Sequence, residues 1–168
     1  LLMLHLEHPI VDRLRAALPE GVRVMSAADL AGMQQAFQFT PAVHVIYQGY
    51  RVKETHADGM IAFVEQTWLT VAAVRNARDQ KAGSAARVDS EAITAAIYQA
   101  LAGWLPTGAC EPMRLADAPA AGFDGVAFYL PLGWKTMIQL TKEIDDDWPR
   151  IKNVTADYGG YGVEEIPQ

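Results

Sequence analysis

Between Ala62 and Val74 the chain places Phe63, Thr67, Leu69, Val71 and Ala73 on one side of an extended backbone and Val64, Gln66, Trp68, Thr70 and Val74 on the other. Successive side chains of a strand point to opposite faces, so this strand is apolar on both. That rules out a sheet with one face in water. It predicts a strand covered twice, by helices of its own chain and by something further. The preceding stretch, Ala42 to Tyr50, sets Val43, Val45 and Tyr47 against His44, Ile46 and Gln48, again with branched residues on both faces. Arg51 to Met60 carries Lys53, Glu54, His56, Asp58 and Gly59. It reads as a long polar tip that joins the two strands as an antiparallel hairpin.

From Val88 to Trp104, Ala92, Ile93, Ala96, Ile97, Ala100 and Leu101 recur at helical spacing, while Asp89, Glu91, Thr94 and Gln99 fall off the stripe. Pro106 is the expected stop, because it lacks a backbone N–H and biases Leu105 away from helical angles. Met113 to Ala116 and Val126 to Leu140 then form a second hairpin around a turn region containing Pro119, Gly122 and Gly125. The return strand sets Phe128, Leu130, Leu132, Trp134 and Ile138 against Tyr129, Pro131, Lys135 and Gln139. Proline cannot donate to a ladder, so Pro131 predicts a bulge or an edge.

At the start, Pro9 suits a first helical turn, with Ile10, Leu14, Ala17 and Leu18 as its apolar face and Pro19-Glu20-Gly21 as its end. Val22 to Met25 reads as a small strand, and Ala27 to Gly32 as a loop or single helical turn with Asp29 near its start. Asn76 to Arg87, with Arg75, Arg78, Lys81 and Arg87, reads as a basic loop, expected to be mobile. Beyond Thr141, Glu143 and Asp145 to Asp147 precede Trp148-Pro149, and a Tyr- and Gly-rich end follows. The expected organisation is one domain over 1–140 and an acidic, aromatic arm over 141–168. Trp148, Tyr158 and Tyr161 are costly to leave in water, so the arm should dock on its own domain or a neighbour.

A length of 168 residues with 51% hydrophobic composition supports one buried core. The net charge of −6 opposes a sequence-specific nucleic-acid surface, since that binding depends on Lys and Arg meeting phosphates. The single cysteine, Cys110, forms no internal disulfide, so nothing points to an oxidising compartment. Leu1 to Leu6 is too short for a signal-peptide core, and no run reaches the roughly 20 apolar residues of a membrane span. A soluble protein made in the cytoplasm is expected.

Chemistry finds little support. His8 and Asp12 are spaced i and i+4, and His44, His56 and Asp58 are the best case for a small metal-dependent hydrolase. Neither set has the ligand grammar of a zinc site, so no metal, cofactor or catalytic residue is expected. Cys110 has no base near it in sequence and reads as a small buried hydrophobe. No Gly-x-Ser-x-Gly elbow is present, and Gly159-Gly160-Tyr161-Gly162 lacks the Lys and Ser/Thr of a phosphate loop. What stands out instead is apolar surface on both faces of strands, the pattern of a subunit completed by self-association.

The order of short helix, strand, hairpin, helix and hairpin, the helix end Ala102-Gly103-Trp104-Leu105-Pro106, and the run from Gly125 to Leu132 leading to Thr136 together carry a resemblance. Over residues 7 to 140 the chain resembles the tail terminator (tail completion) proteins of bacteriophages and prophages. The resemblance implies an α+β fold, a mixed, largely antiparallel β-sheet with two main helices packed on one face. It also implies a virion structural protein, assembled in the bacterial host cytoplasm. Such a protein forms a ring, commonly a hexamer, on the last ring of tail-tube protein, where it stops polymerisation and presents a surface for the head-tail connector. Candidate contacts with tube or neighbour are Arg51, Lys53, Glu54, His56, Arg75, Arg78 and Lys81, with Trp148, Tyr158 and Tyr161 on the arm. A neck adaptor between head and tail is the alternative within assembly proteins.

Overall fold

The computed structural model describes residues 3–27, 41–75, 82–123, 127–143, 155–157 and 163–165. Its elements are α1 (Glu7–Ala17), β1 (Arg23–Ala27), β2 (Ala42–His56), β3 (Ile61–Arg75), α2 (Ala82–Leu101), β4 (Arg114–Ala116), β5 (Gly122–Phe123), β6 (Ala127–Thr141), β7 (Thr155–Asp157) and β8 (Val163–Glu165). The main sheet has the order β1-β2-β3-β6-β4, with β5 also on β6, and only the β1–β2 pair is parallel. β7 and β8 form a separate antiparallel pair. The fold is α+β with a mixed, largely antiparallel sheet, as expected.

Both helices lie on one face of the sheet. There Ile10 and Leu14 of α1 and Ile93, Ile97 and Leu101 of α2 join Val43, Val45, Val64, Trp68, Trp134 and Ile138 in one buried cluster. Trp68 and Trp134 face each other across β3 and β6. Each removes on the order of 200 Å² from water, and each indole N–H must then find an acceptor. The Trp68 indole donates to Gln66 Oε1 (3.1 Å) and the Trp134 indole to Thr70 Oγ1 (2.9 Å). The Gln66 amide in turn donates to the Met3 carbonyl (2.6 Å), which ties the segment before α1 to the sheet. Arg13 joins the helices, donating to the Ala100 carbonyl and lying over the Trp104 ring. Tyr47 stacks on Trp68 with its hydroxyl buried and unpaired, and burial raises its pKa above the phenolic range, with Tyr50 adding to the shift.

The opposite face is buried too. Ala42, His44, Ile46, Leu69, Val71 and Ala73 are all nearly inaccessible, with Tyr129 packed on Ile46, Leu69 and Val71. The alternation along β3 and β6 is the one read from sequence.

Several expectations are corrected. Arg51 to His56 is strand, not tip: β2 and β3 stay paired to His56–Ile61, and Ala57 to Met60 make the turn, with Ala57, Asp58 and Gly59 all at positive φ. Tyr50, Val52 and Thr55 favour extended backbone, and a hairpin edge in water tolerates charges between them. Helix α2 begins at Ala82, so the second half of the expected basic loop is helical; 76–81 lie outside the described residues. The helix stops at Leu101 because Gly103 takes φ +74 and donates to the Met113 carbonyl, before Pro106 acts. Its buried stripe includes Ser90 and Thr94 and excludes Ala92. The Thr94 hydroxyl donates to the Ser90 carbonyl within the helix, which makes its burial cheap.

Pro131 lies on a strand with neighbours on both sides, and the β3–β6 register is unbroken, so there is no bulge. Among the described residues the outer side of β6 is nevertheless open at that point: β4 pairs with Gly133 to Lys135, and β5 with Phe128 and Tyr129. The Met137 carbonyl points outward, since it accepts from the Cys110 N–H (2.7 Å). By the two-residue period, Pro131 points its nitrogen the same way, into the gap, where the missing donor breaks no ladder bond.

Candidate functional site

The distal half of the β2–β3 hairpin gathers four of the expected contact residues. Arg51, Lys53, Glu54 and His56 are all exposed, and Glu54 pairs with His56 at 3.1 Å. Such an exposed pair contributes little stability. Opposite Arg51, β3 presents Glu65, whose side chain is only 6% exposed. Three cations from three different strands converge on it: Arg114 of β4 at 2.7 Å, Lys135 of β6 at 3.2 Å and Lys53 of β2 at 3.4 Å. Glu111 holds the far side of Arg114 at 3.1 Å. Burial by itself raises the Glu65 pKa, but hydrogen bonds from Lys135, Arg114 and Lys53 outweigh it and hold the carboxyl below its ordinary range. The cluster clamps four strands together and leaves a cationic patch, with Arg51 beside it, on a chain of net charge −6.

Sequence reasoning missed Glu65, Arg114 and Lys135 as partners. A signal existed: Glu65 sits on the otherwise apolar Phe63-Thr67-Leu69 side of a strand expected to be covered, and a buried carboxylate there demands cations. Leu4, Tyr50, Val52, Tyr98, Leu105 and Leu115, the exposed large hydrophobics, were not singled out either, because exposure is a property of packing.

Arg75 stands apart from this group. It ends β3, ten positions and roughly 33 Å from Glu65 along the strand. There it lines a shallow depression of about 440 Å³ with Pro19, Pro41 and Ile93. Arg78, Lys81, Trp148, Tyr158 and Tyr161 lie outside the described residues, as do Asp29 and the Asp145 to Asp147 run.

The hydrolase constellation does not assemble. His44 and His56 are twelve positions apart on one strand, roughly 40 Å, and His44 is buried. Among the described residues, no three His, Cys, Asp or Glu side chains are grouped to hold a metal ion. Cys110 is exposed, contrary to its expected burial, because the hydrogen bond of its own N–H to Met137 fixes the backbone outside the core. His5 pairs through Nε2 with the Gly108 carbonyl at 3.2 Å.

Burial pushes the His44 pKa below 6.5. The unfolded chain therefore takes up a proton as pH falls through that value while the folded chain resists. Stability held above pH 6.5 is lost below it, down to the folded pKa. Denaturant midpoints measured between about pH 7 and 5 are expected to fall, and His44→Leu is expected to flatten that limb.

What remains is a two-layer fold with a charged strand clamp and a long hairpin whose β2 edge is exposed. The family model described as phage tail terminator protein matches residues 4–144, which include both helices and the whole main sheet. The chain belongs to the phage tail terminator family. A search of curated proteins found no match. This terminator is accordingly a structural component of the phage tail, with a role in tail assembly and in association with other tail components. No helix among the described residues is long and apolar enough to cross a membrane. The β7–β8 pair lies beyond the matched span.

Proposed function

We propose that this terminator closes into a ring, a hexamer, on the last ring of tail-tube protein, ends tube polymerisation there, and offers the surface on which the head-tail connector docks. The observation that carries the reading is the outer half of the β2–β3 hairpin. Its β2 side and turn, Arg51 to Gly59, are exposed on both faces, while β3 opposite stays covered, with Val64 in the core. An edge strand exposed on both faces suits contact with a neighbour or the tube. Residues 1–140 act as the ring-forming domain, and 141–168 as an arm that clasps the next subunit. Assembly takes place in the host cytoplasm, and the protein remains in the virion.

Light scattering across a concentration series is expected to show a shift from monomer to a ring of defined mass. Purified tail tubes are expected to acquire the protein at one end and to stop growing. A strict monomer at high concentration, with and without tube protein, overturns the ring. Binding to portal-bearing heads but not to tubes replaces it with a neck adaptor.

A further inference from the structure

Among the described residues the main sheet has two open edges, and they are unlike. On one side, β1 covers β2 only from Ala42 to Ile46, and among the described residues no strand lies outside Tyr47 to His56. Tyr50 and Val52 stand opposite Gln66 and Val64, hence on the helix face of the sheet, yet they are 55% and 52% exposed. Because Gln66 holds the Met3 carbonyl, Leu4, 48% exposed, comes to the same neighbourhood. This edge is a raised apolar ridge.

On the other side, β4 is three residues long and nothing among the described residues pairs with its outer edge. Leu115 stands opposite Trp134, again on the helix face, and is 53% exposed. The Tyr98 ring of α2 lies 6.2 Å from that of Trp134. Tyr98, Gly103, Pro112, Met113 and Leu115 line a groove of about 520 Å³, with Glu111 also in its wall.

We infer that the partner for each edge is a second copy of this chain, joined head to tail: the β2 ridge of one copy adds as a strand to β4 of the next and seats Tyr50 and Val52 in the Tyr98–Leu115 groove. The geometry matches in two respects. Strand β4 is antiparallel to β6, which is parallel to β2, so the added strand makes an antiparallel pair. Ridge and groove both belong to the helix face, so extending the sheet brings apolar side chains together. The bulges of β2, at Tyr47/Gly49 and at Val52/Glu54, the second formed by Lys53, restrict the register and discourage indiscriminate pairing.

A contact between unlike patches repeats from copy to copy and closes into a ring when its rotation allows. A ridge-to-ridge contact gives a two-fold dimer instead. The inference rests on the ring reading and specifies its junction.

The test uses the full chain with Tyr50→Arg/Val52→Arg as a ridge variant and Leu115→Arg as a groove variant. All three positions are exposed, so circular dichroism and melting are expected to match wild type. Each variant alone is expected to need at least about 30-fold more protein to assemble, the loss of a central contact. A one-to-one mixture of the two is expected to stop at a heterodimer, since only the groove-intact and ridge-intact partners have one good junction to share. As a measurement independent of those substitutions, Val52→Cys with Leu115→Cys in a Cys110→Ser background is expected to crosslink between copies. Rings formed by the variants at wild-type concentrations, a mixture that stays monomeric, or absent crosslinks overturn this junction while wild-type rings leave the ring reading standing. A wild-type monomer under all conditions overturns both.

Discussion

Gly133→Val is expected to destabilise the protein by at least about 3 kcal/mol and to release β4 from the sheet. Strand β4 meets β6 at Ala116 and Gly133, and the chain leaving it passes directly over Gly133. A Cβ added there falls 2.8 Å from the Ala116 carbonyl oxygen and closer still to that of Asp117. Both obstacles are backbone, so no side-chain rotation relieves them. The neighbouring parts of the sheet hold β6 against β3 over fifteen paired positions, so β6 cannot retreat. The change therefore either unfolds the domain or detaches β4, and with it Arg114 and Leu115. Denaturant unfolding measures the first outcome, and amide exchange over Arg114–Ala116 the second. A stable variant with protected β4 amides contradicts the argument.

Glu65→Gln preserves shape and removes the anion shared by Lys53, Arg114 and Lys135. The expected cost is about 1–3 kcal/mol. The carboxylate is buried, but its three partners are 38–53% exposed and relax into water once it is gone, which keeps the loss below that of a fully buried pair. The effect has a pH signature. Because the folded carboxyl titrates below its usual 4.5, its stabilisation is complete above that value and is lost as pH falls through the folded pKa. Wild type is thus expected to lose stability in two steps on acidification, first through His44 below about 6.5 and then through Glu65 below about 4.5. Glu65→Gln is expected to abolish the second step and keep the first. A variant as stable as wild type with an unchanged acid limb removes the cluster as a stabilising clamp.

Local patterning carried much of the fold. The alternation over Ala62 to Val74 and Phe128 to Leu140 fixed which side chains share a face, because a strand has only one period, and both assignments hold in the sheet. Arg51 to Met60 was misjudged for a reason that is equally physical: charge density marks exposure, and an exposed hairpin edge is as polar as a loop. The start of α2 at Ala82 was hidden by small and basic residues that satisfy a helix and a loop alike. Cys110 was placed in the core on composition, whereas one backbone hydrogen bond to Met137 decides its position. Arg51, Lys53, Glu54 and His56 are near one another in the chain and share the exposed end of β2. Arg75 was grouped with Arg78 and Lys81 by proximity in sequence, and the strand carries it to the other end of the sheet from the hairpin.

The sequence by itself determined an α+β subunit with an acidic balance, a two-faced central strand and the ordered pattern of a tail terminator. These rest on interactions within one element: side-chain period, backbone stops at Gly and Pro, and net charge. Tertiary structure alone decided that Glu65 meets cations from β2, β4 and β6, that Gly133 lies beneath the chain leaving β4, and that a ridge and a groove occupy opposite edges of one sheet. Each of those depends on strand order and register between residues as much as 70 positions apart, such as Glu65 and Lys135. Local patterns do not encode such pairings, because many registers bury the same apolar faces and only the packed sheet selects one.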